Sequence, residues 1–465
     1  MKRNRISGAA AAVSLALIIC SGTVSAQSTD INDFVRQPHN VSYAMTDAAY
    51  WTRDLNDAPI RTPEQIIQFN AENVITLGDM SEGELTLYEL GDTISGSRVR
   101  ELVNGVSSPS EPSECYLNGR PTTQEYWEKL EKKLNSENIP DTVQIRYGFS
   151  TARSSLRIYP STDFIGEDKE DRFYDLMVMS EYMPFQPLAV VHETADGEWY
   201  YVLFDGFGGW VQKKYVALCD SREEWLERSE PEDFLVVTGR ELRLQYDEKC
   251  RALSNQLIPM GTKLPLVKRT DAPRFINDRD TAGCYIVKLP VRGNDGRITD
   301  RYSLISEKED VHIGYLEYTS KNVVDLAMKR YGDRYGWAGL GYSNDCSGIT
   351  DEIFRCFGIK LPRVSSQIGA VNAVKNYDVT GYTDEEKLEL LKTVPAGTVL
   401  YIRGHIMIYL GMKEGTPFCI SAAGTYYDDE GDAYEVNCVT INDMTQTYRK
   451  SGNTWLTDLA GVIIV

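Results

Sequence analysis

The alternation of apolar and polar positions divides the chain into stretches of helical and of strand period. Between residues 346 and 358, Ile349, Ile353 and Phe357 recur every four positions, which predicts an amphipathic helix ending at Gly358, ahead of Leu361-Pro362. The run before it, RYGWAGLGYSND, is rich in glycine and aromatics and cannot be a helix. A two-residue period in GTVLYIRGHIMIYLG predicts two strands joined at Arg403-Gly404. In the second, His405, Met407 and Tyr409 point one way and Ile406, Ile408 and Leu410 the other, so one histidine faces outward over a buried apolar row. A helix capped by Ser320 precedes this region. Further helices are predicted over 365–374 and 383–393, and the strands from 399 to 465 should form one sheet. Helix before sheet makes 319–465 a domain of the α+β class.

Upstream the pattern is mostly of short strands. LAVVHET, the turn ADG, EWYYVLF and GWVQ predict a small antiparallel barrel over 143–220, and its DGEW and GWV resemble a bacterial SH3-like domain. His192 alternates with apolar neighbours there and reads as structural. Residues 233–318 repeat the theme with FLVVTG, GTKLPLVK, YIVKLPV, the turn GNDG and VHIGYLEYT, predicting a second, more divergent SH3-like barrel. Residues 27–142 carry helix signals instead, Thr62-Pro63 with Gln65 and Thr122 with Glu125, the second opening a helix with Tyr126, Leu130 and Leu134 on one face. The Ser/Pro stretch SSPSEPSE reads as irregular connection. Residues 1–26 have a basic start, an apolar core and V-S-A before Gln27, the pattern of a secretory signal cleaved after Ala26. Their apolar run falls short of the ~20 residues that a membrane span needs.

Composition narrows the function. A net charge of −19 argues against nucleic acid or an anionic surface as partner. The remainder shows no membrane-spanning stretch, so a soluble chain, periplasmic or extracellular, is expected, and a monomer is favoured. The nine cysteines lack any CxxC pair, so neither a zinc site nor a disulfide framework is indicated, and nothing in the pattern requires a metal or an organic cofactor. Cys219, Cys356 and Cys419 lie in apolar patterns and read as core. Cys250 with Cys284 is the one disulfide the sequence suggests.

The candidate chemistry follows from position. Cys346 falls in the first turn of the predicted helix, where free N–H groups and the helix dipole favour a thiolate and are able to hold an oxyanion. A thiol nucleophile needs a base, and the chain has only four histidines: His39, His192, His312 and His405. His405 is the best placed. A lone cysteine is more often a buried hydrophobe, and a lone strand histidine is usually structural. It is their combination with the glycine-aromatic run that points to a thiol hydrolase.

The order YGW-x-G, DCSG, FGIKLPR-x-SSQ and GTVLYIRGHIMIYLG resembles the NlpC/p60 family of papain-like cysteine peptidases over about the last third of the chain. The resemblance implies a papain-like fold in which Cys346 is the nucleophile, His405 the base, and Tyr335 the aromatic whose hydroxyl lies near the oxyanion. It implies that 27–142 is a stabilising segment and that the first barrel blocks one end of the groove. It further implies hydrolysis of the bond between γ-D-glutamyl and a diamino acid in peptidoglycan stem peptides, often those with a free N-terminal L-Ala. Asp345 then matches the carboxylate that binds the free α-amine, although aspartate there also serves as a helix cap, and Ser347 and Ser366 match positions near the glutamyl carboxylate. Arg363 stays outside the site, since LPR reads equally well as a structural turn. The third catalytic position departs from the family: alignment of TPFCISAAG puts Ser421 where relatives carry a larger polar residue, commonly histidine. Ser421 or a water orients the base, or Asn437 reaches in, or the enzyme is impaired. In that last case the protein is a wall-peptide binding protein that uses its barrels.

Overall fold

Apolar periodicity places two families of helices in the N-terminal region against two different cores of the computed structural model, which describes residues 35–77, 85–107, 115–427 and 431–465. The expected signal segment and SSPSEPSE, apart from its first residue, lie outside the described residues. Pro38–Val465 forms one compact unit. Ala48–Thr52 and Pro63–Glu72 bury Trp51, Ile66 and Phe69 in the core of the C-terminal domain. Thr62 and Gln65 make the capping box that the sequence suggests. Gly96–Val106 and Gln124–Leu134 instead bury Val99, Val103, Trp127 and Leu130 against the β-structure of 142–218. The cap of the second of these is Thr123, not Thr122, whose hydroxyl accepts from Trp127 Nε1 at 3.0 Å.

Residues 146–218 hold a seven-stranded antiparallel sheet with Trp199–Phe204 at its centre, and Trp199 and Trp210 are both buried. His192 donates Nε2–H to Leu134 O at 2.9 Å, as a structural residue does. Residues 234–313 form smaller sheets: Phe234–Val237 lies between Lys263–Pro265 and Val311–Ile313, and a long hairpin pairs Cys284–Arg292 with Ile298–Ser306. Cys250 and Cys284 are both free, because they pack in separate apolar clusters.

The C-terminal domain comprises α1 (Ser320–Met328), α2 (Cys346–Arg355), a short α3 (Ser365–Ile368), β1 (Lys375–Asp378), α4 (Asp384–Leu391), β2 (Val399–Ile402), β3 (His405–Lys413), β4 (Thr416–Tyr427), β5 (Ala433–Asp443) and β6 (Gly461–Ile464). The sheet runs β1-β6-β2-β3-β4-β5, antiparallel throughout. Ile402 pairs with His405 across Arg403-Gly404, and Gly404 supplies the positive φ of +85° that so tight a hairpin requires. Thr319 rather than Ser320 caps α1. α3 stops at Ile368 instead of running to 374, and the chain then enters β1.

Two patterns differ from expectation for one reason. Met407 and Tyr409 are buried like Ile406, Ile408 and Leu410, because a second apolar cluster containing Trp455 and Leu456 covers that face of β3. α2 is likewise buried on its polar side from Ser347 to Phe354, since both β-modules pack on it. Arg153 of the first module bonds Glu181 at 2.6 Å and stands 3.8 Å from Glu352 of α2, which also pairs with Arg330. From the second module, Gly261 approaches so closely that a Cβ would sit 2.5 Å from Glu352 O.

Candidate active site

The loop before Cys346 is irregular. Between Trp337 and Tyr342 the backbone turns through positive φ at Ala338 (+48°), Gly339 (+87°), Gly341 (+68°) and Tyr342 (+62°). An alanine and a tyrosine in that region are strained and need support from outside. Arg153 supplies it, donating to Tyr342 O at 2.9 Å, Ser343 O at 3.0 Å and Asn344 Oδ1 at 2.8 Å. The residues next in line are Asp345 and Cys346.

Asp345 caps α2 through Gly348 N–H at 2.8 Å. It also receives Ala338 N–H at 3.0 Å, the Ser347 hydroxyl at 3.2 Å, and both arms of Arg363 at 2.9 and 2.8 Å. Those five donors exceed the about four lone-pair directions of a carboxylate. Burial alone would raise this carboxyl, but the Arg363 guanidinium and the two backbone N–H groups hold it below its ordinary value. Ser347 is turned inward, accepting from Arg363 at 2.8 Å. Ser366 is exposed on α3, which packs against α2 and β3.

Cys346, His405 and Tyr335 gather around this carboxylate, whose charge acts on all three. The Ile406 N–H, one residue past the histidine, faces the Cys346 thiol, as does the Ser347 N–H. The helix N-terminus was expected to lower the thiol. Burial, seconded by Asp345, outweighs those N–H groups and Arg363 and pushes it up to about 12. Burial lowers His405 to about 4, opposed by Asp345. Tyr335 is raised by burial and by the same neighbours, so its hydroxyl keeps its proton. Its backbone runs along β5, with Tyr335 N–H on Asn437 O at 2.9 Å.

His405 Nε2 lies 3.0 Å from Ser421 Oγ. Tyr409 pairs with Cys419, so Ser421, two residues on, shares the face of Met407 and stands diagonal to His405. Asn437 does not reach the base; its amide bonds Glu435 at 3.2 Å. The sequence offered no signal for Asn442, which donates to Ser421 Oγ at 3.4 Å, or for Trp455, whose ring lies 5.4 Å from that of His405. From the first module Tyr174 reaches the site, 6.4 Å from the Tyr335 ring and 5.6 Å from Trp337. No group of His, Cys, Asp and Glu among the described residues has the arrangement of a metal site.

Residues 332–448, which hold Cys346, His405, Tyr335 and Ser421, match the NlpC/P60 family, and residues 164–212 match the SH3 domain of the SH3b1 type. The C-terminal domain is an NlpC/P60 domain. Among solved structures the chain is similar in fold to a novel NlpC/P60 endopeptidase from Photobacterium damselae subsp. piscicida, at 18% identity and a TM-score of 0.67, covering 89% of this chain and 92% of that one. It is also matched by an NlpC/P60 family protein from Bacillus cereus ATCC 10987, at 16% identity and a TM-score of 0.45, covering 68% of this chain and 98% of the other. No curated protein matches. The family consists of cysteine peptidases, and the fold, an NlpC/P60 domain preceded by an SH3 domain and N-terminal helices, is the α+β architecture that the sequence suggested.

Proposed function

We propose that the protein is a secreted cysteine peptidase that hydrolyses the γ-D-glutamyl–diamino acid bond of peptidoglycan stem peptides with a free N-terminal L-Ala. The observation that carries this reading is the convergence of Cys346, His405 and Tyr335 about one buried carboxylate at the start of α2. His405, neutral at physiological pH, takes the thiol proton as the sulfur attacks the carbonyl carbon. The oxyanion is met by backbone N–H groups of the α2 N-terminus and by the Tyr335 hydroxyl. Collapse breaks the C–N bond, and His405 returns the proton to the leaving amine. Water, deprotonated by His405, then attacks the thioester and frees Cys346.

Substrate choice rests on the family resemblance and on the first module. Tyr174 beside Tyr335 and Trp337 supports a groove closed at one end, suited to short peptides with a free terminus. Ser366 is proposed to meet the glutamyl carboxylate together with Ser347. If Asp345 binds the substrate α-amine, the ammonium must compete with Arg363 for a carboxylate that already has five donors. Action outside the cytoplasm fits wall peptides as substrate, and no helix among the described residues is long and apolar enough to cross a membrane. Mass-spectrometric assay on L-Ala-γ-D-Glu-diaminopimelate, beside Cys346→Ala, tests the proposal. Release of the diamino acid by the parent alone is expected. Binding without cleavage by either protein would favour the wall-peptide binding protein instead.

A further inference from the structure

Serine is short for the third catalytic position. A free hydroxyl has three staggered rotamers, and only some of them face the base. In this fold the Ser421 hydroxyl has a second neighbour. Asn442 on β5, two residues past the Ser421 partner Thr440, places Nδ2 at 3.4 Å from Ser421 Oγ and 3.3 Å from Thr440 O. A carbonyl oxygen only accepts, so the nitrogen side of the amide must face it, and this fixes the Asn442 flip. The oxygen side accepts from the Tyr426 hydroxyl at 2.5 Å. Ser421, Asn442 and Tyr426 are all buried, so the bonds among them are made out of contact with water.

We propose that Asn442 is a positioning residue for the base: clamped between Tyr426 and Thr440, its amide holds the Ser421 hydroxyl in the rotamer that meets His405 Nε2. The ring is thereby oriented, and Nδ1 is the nitrogen left for the Cys346 proton. Nε2 carries the proton of the resting base and donates it to Ser421 Oγ, which has a lone pair for it beside the one used by Asn442, and this bond persists when Nδ1 takes the thiol proton. A three-residue chain thus does the work that one larger side chain does where the third position is histidine. This inference rests on the peptidase reading of the site.

The test is a double-mutant cycle. Asn442→Leu and, separately, Tyr426→Phe are made in the parent and in a Ser421→Ala background. Tyr426→Phe keeps the packing while releasing one side of the amide, so it carries the comparison if Asn442→Leu does not fold. With the tripeptide, Asn442→Leu is expected to lower kcat about tenfold with KM within about twofold, and Tyr426→Phe to act in the same direction. Both losses should vanish when Ser421 is already alanine. An unchanged kcat, or an equal loss in the two backgrounds, overturns the proposal, since a merely structural role weakens both alike. The tautomer of the His405 ring, read from its 15N chemical shifts in the parent and in each variant, gives the same comparison without a peptide. A failure of the substrate assignment is thus distinguishable from a failure of the relay.

Discussion

Cys346 and His405 titrate away from each other, the thiol up to about 12 and the imidazole down to about 4, with burial the leading cause for both. Both directions favour a neutral thiol beside a neutral base at rest over a thiolate–imidazolium pair. Alkylation of Cys346 by iodoacetamide should therefore climb about tenfold per pH unit between pH 6 and 9. A plateau across that range would show the ion pair instead. Peptidase activity should persist in mild acid, because His405 loses its function as base only as the pH falls towards about 4. At this scale Cys346 and His405 were legible as candidates through position and period, and Ser421 through alignment. Arg363 was visible but ambiguous: nothing in LPR says that its guanidinium folds back on Asp345 rather than outward. Asn442 was invisible, because its meaning depends on the β4–β5 register and not on any local pattern.

At the scale of elements, α2 shows where hydrophobic periodicity stops informing. Its apolar stripe was legible, but a charged stripe looks the same in sequence whether water or another domain covers it. Here Glu352 is fully buried and is matched by Arg330 of its own domain and Arg153 of the first module. Removing one member of such a cluster leaves a buried charge uncompensated. Arg153→Met should cost about 3–5 kcal/mol in denaturant unfolding, and the surviving folded protein should lose kcat, because the strained Ala338–Tyr342 turns lose the donors that hold them. Stability lost without any change in the kcat of the folded fraction would mean that the loop holds its own shape. The two displaced helix caps, Thr123 and Thr319, have a simpler origin: each lies beside another Ser or Thr able to cap, and propensity does not choose between neighbours.

For the whole molecule, the candidate site is assembled from more than the C-terminal domain. Tyr174 and Arg153 come from the first module, and Gly261 of the second packs on α2. A groove bounded this way should admit free stem peptides and exclude polymer, so intact cross-linked sacculi should be cut far more slowly than free tripeptide when soluble products are compared at equal enzyme. Equal rates would mean that the first module leaves the groove open. The sequence showed the succession of helical, strand-rich and mixed regions, but not that the first module and the C-terminal domain share the buried pair Arg153–Glu352, whose members lie far apart in the chain.

The central claim is that Cys346 is the nucleophile of an amide hydrolase, and one assay bears on it most directly: incubation of the parent and of Cys346→Ala with L-Ala-γ-D-Glu-diaminopimelate, read by mass spectrometry. Free diaminopimelate from the parent and none from the variant is the predicted result. Release by both proteins, or by neither, would contradict it.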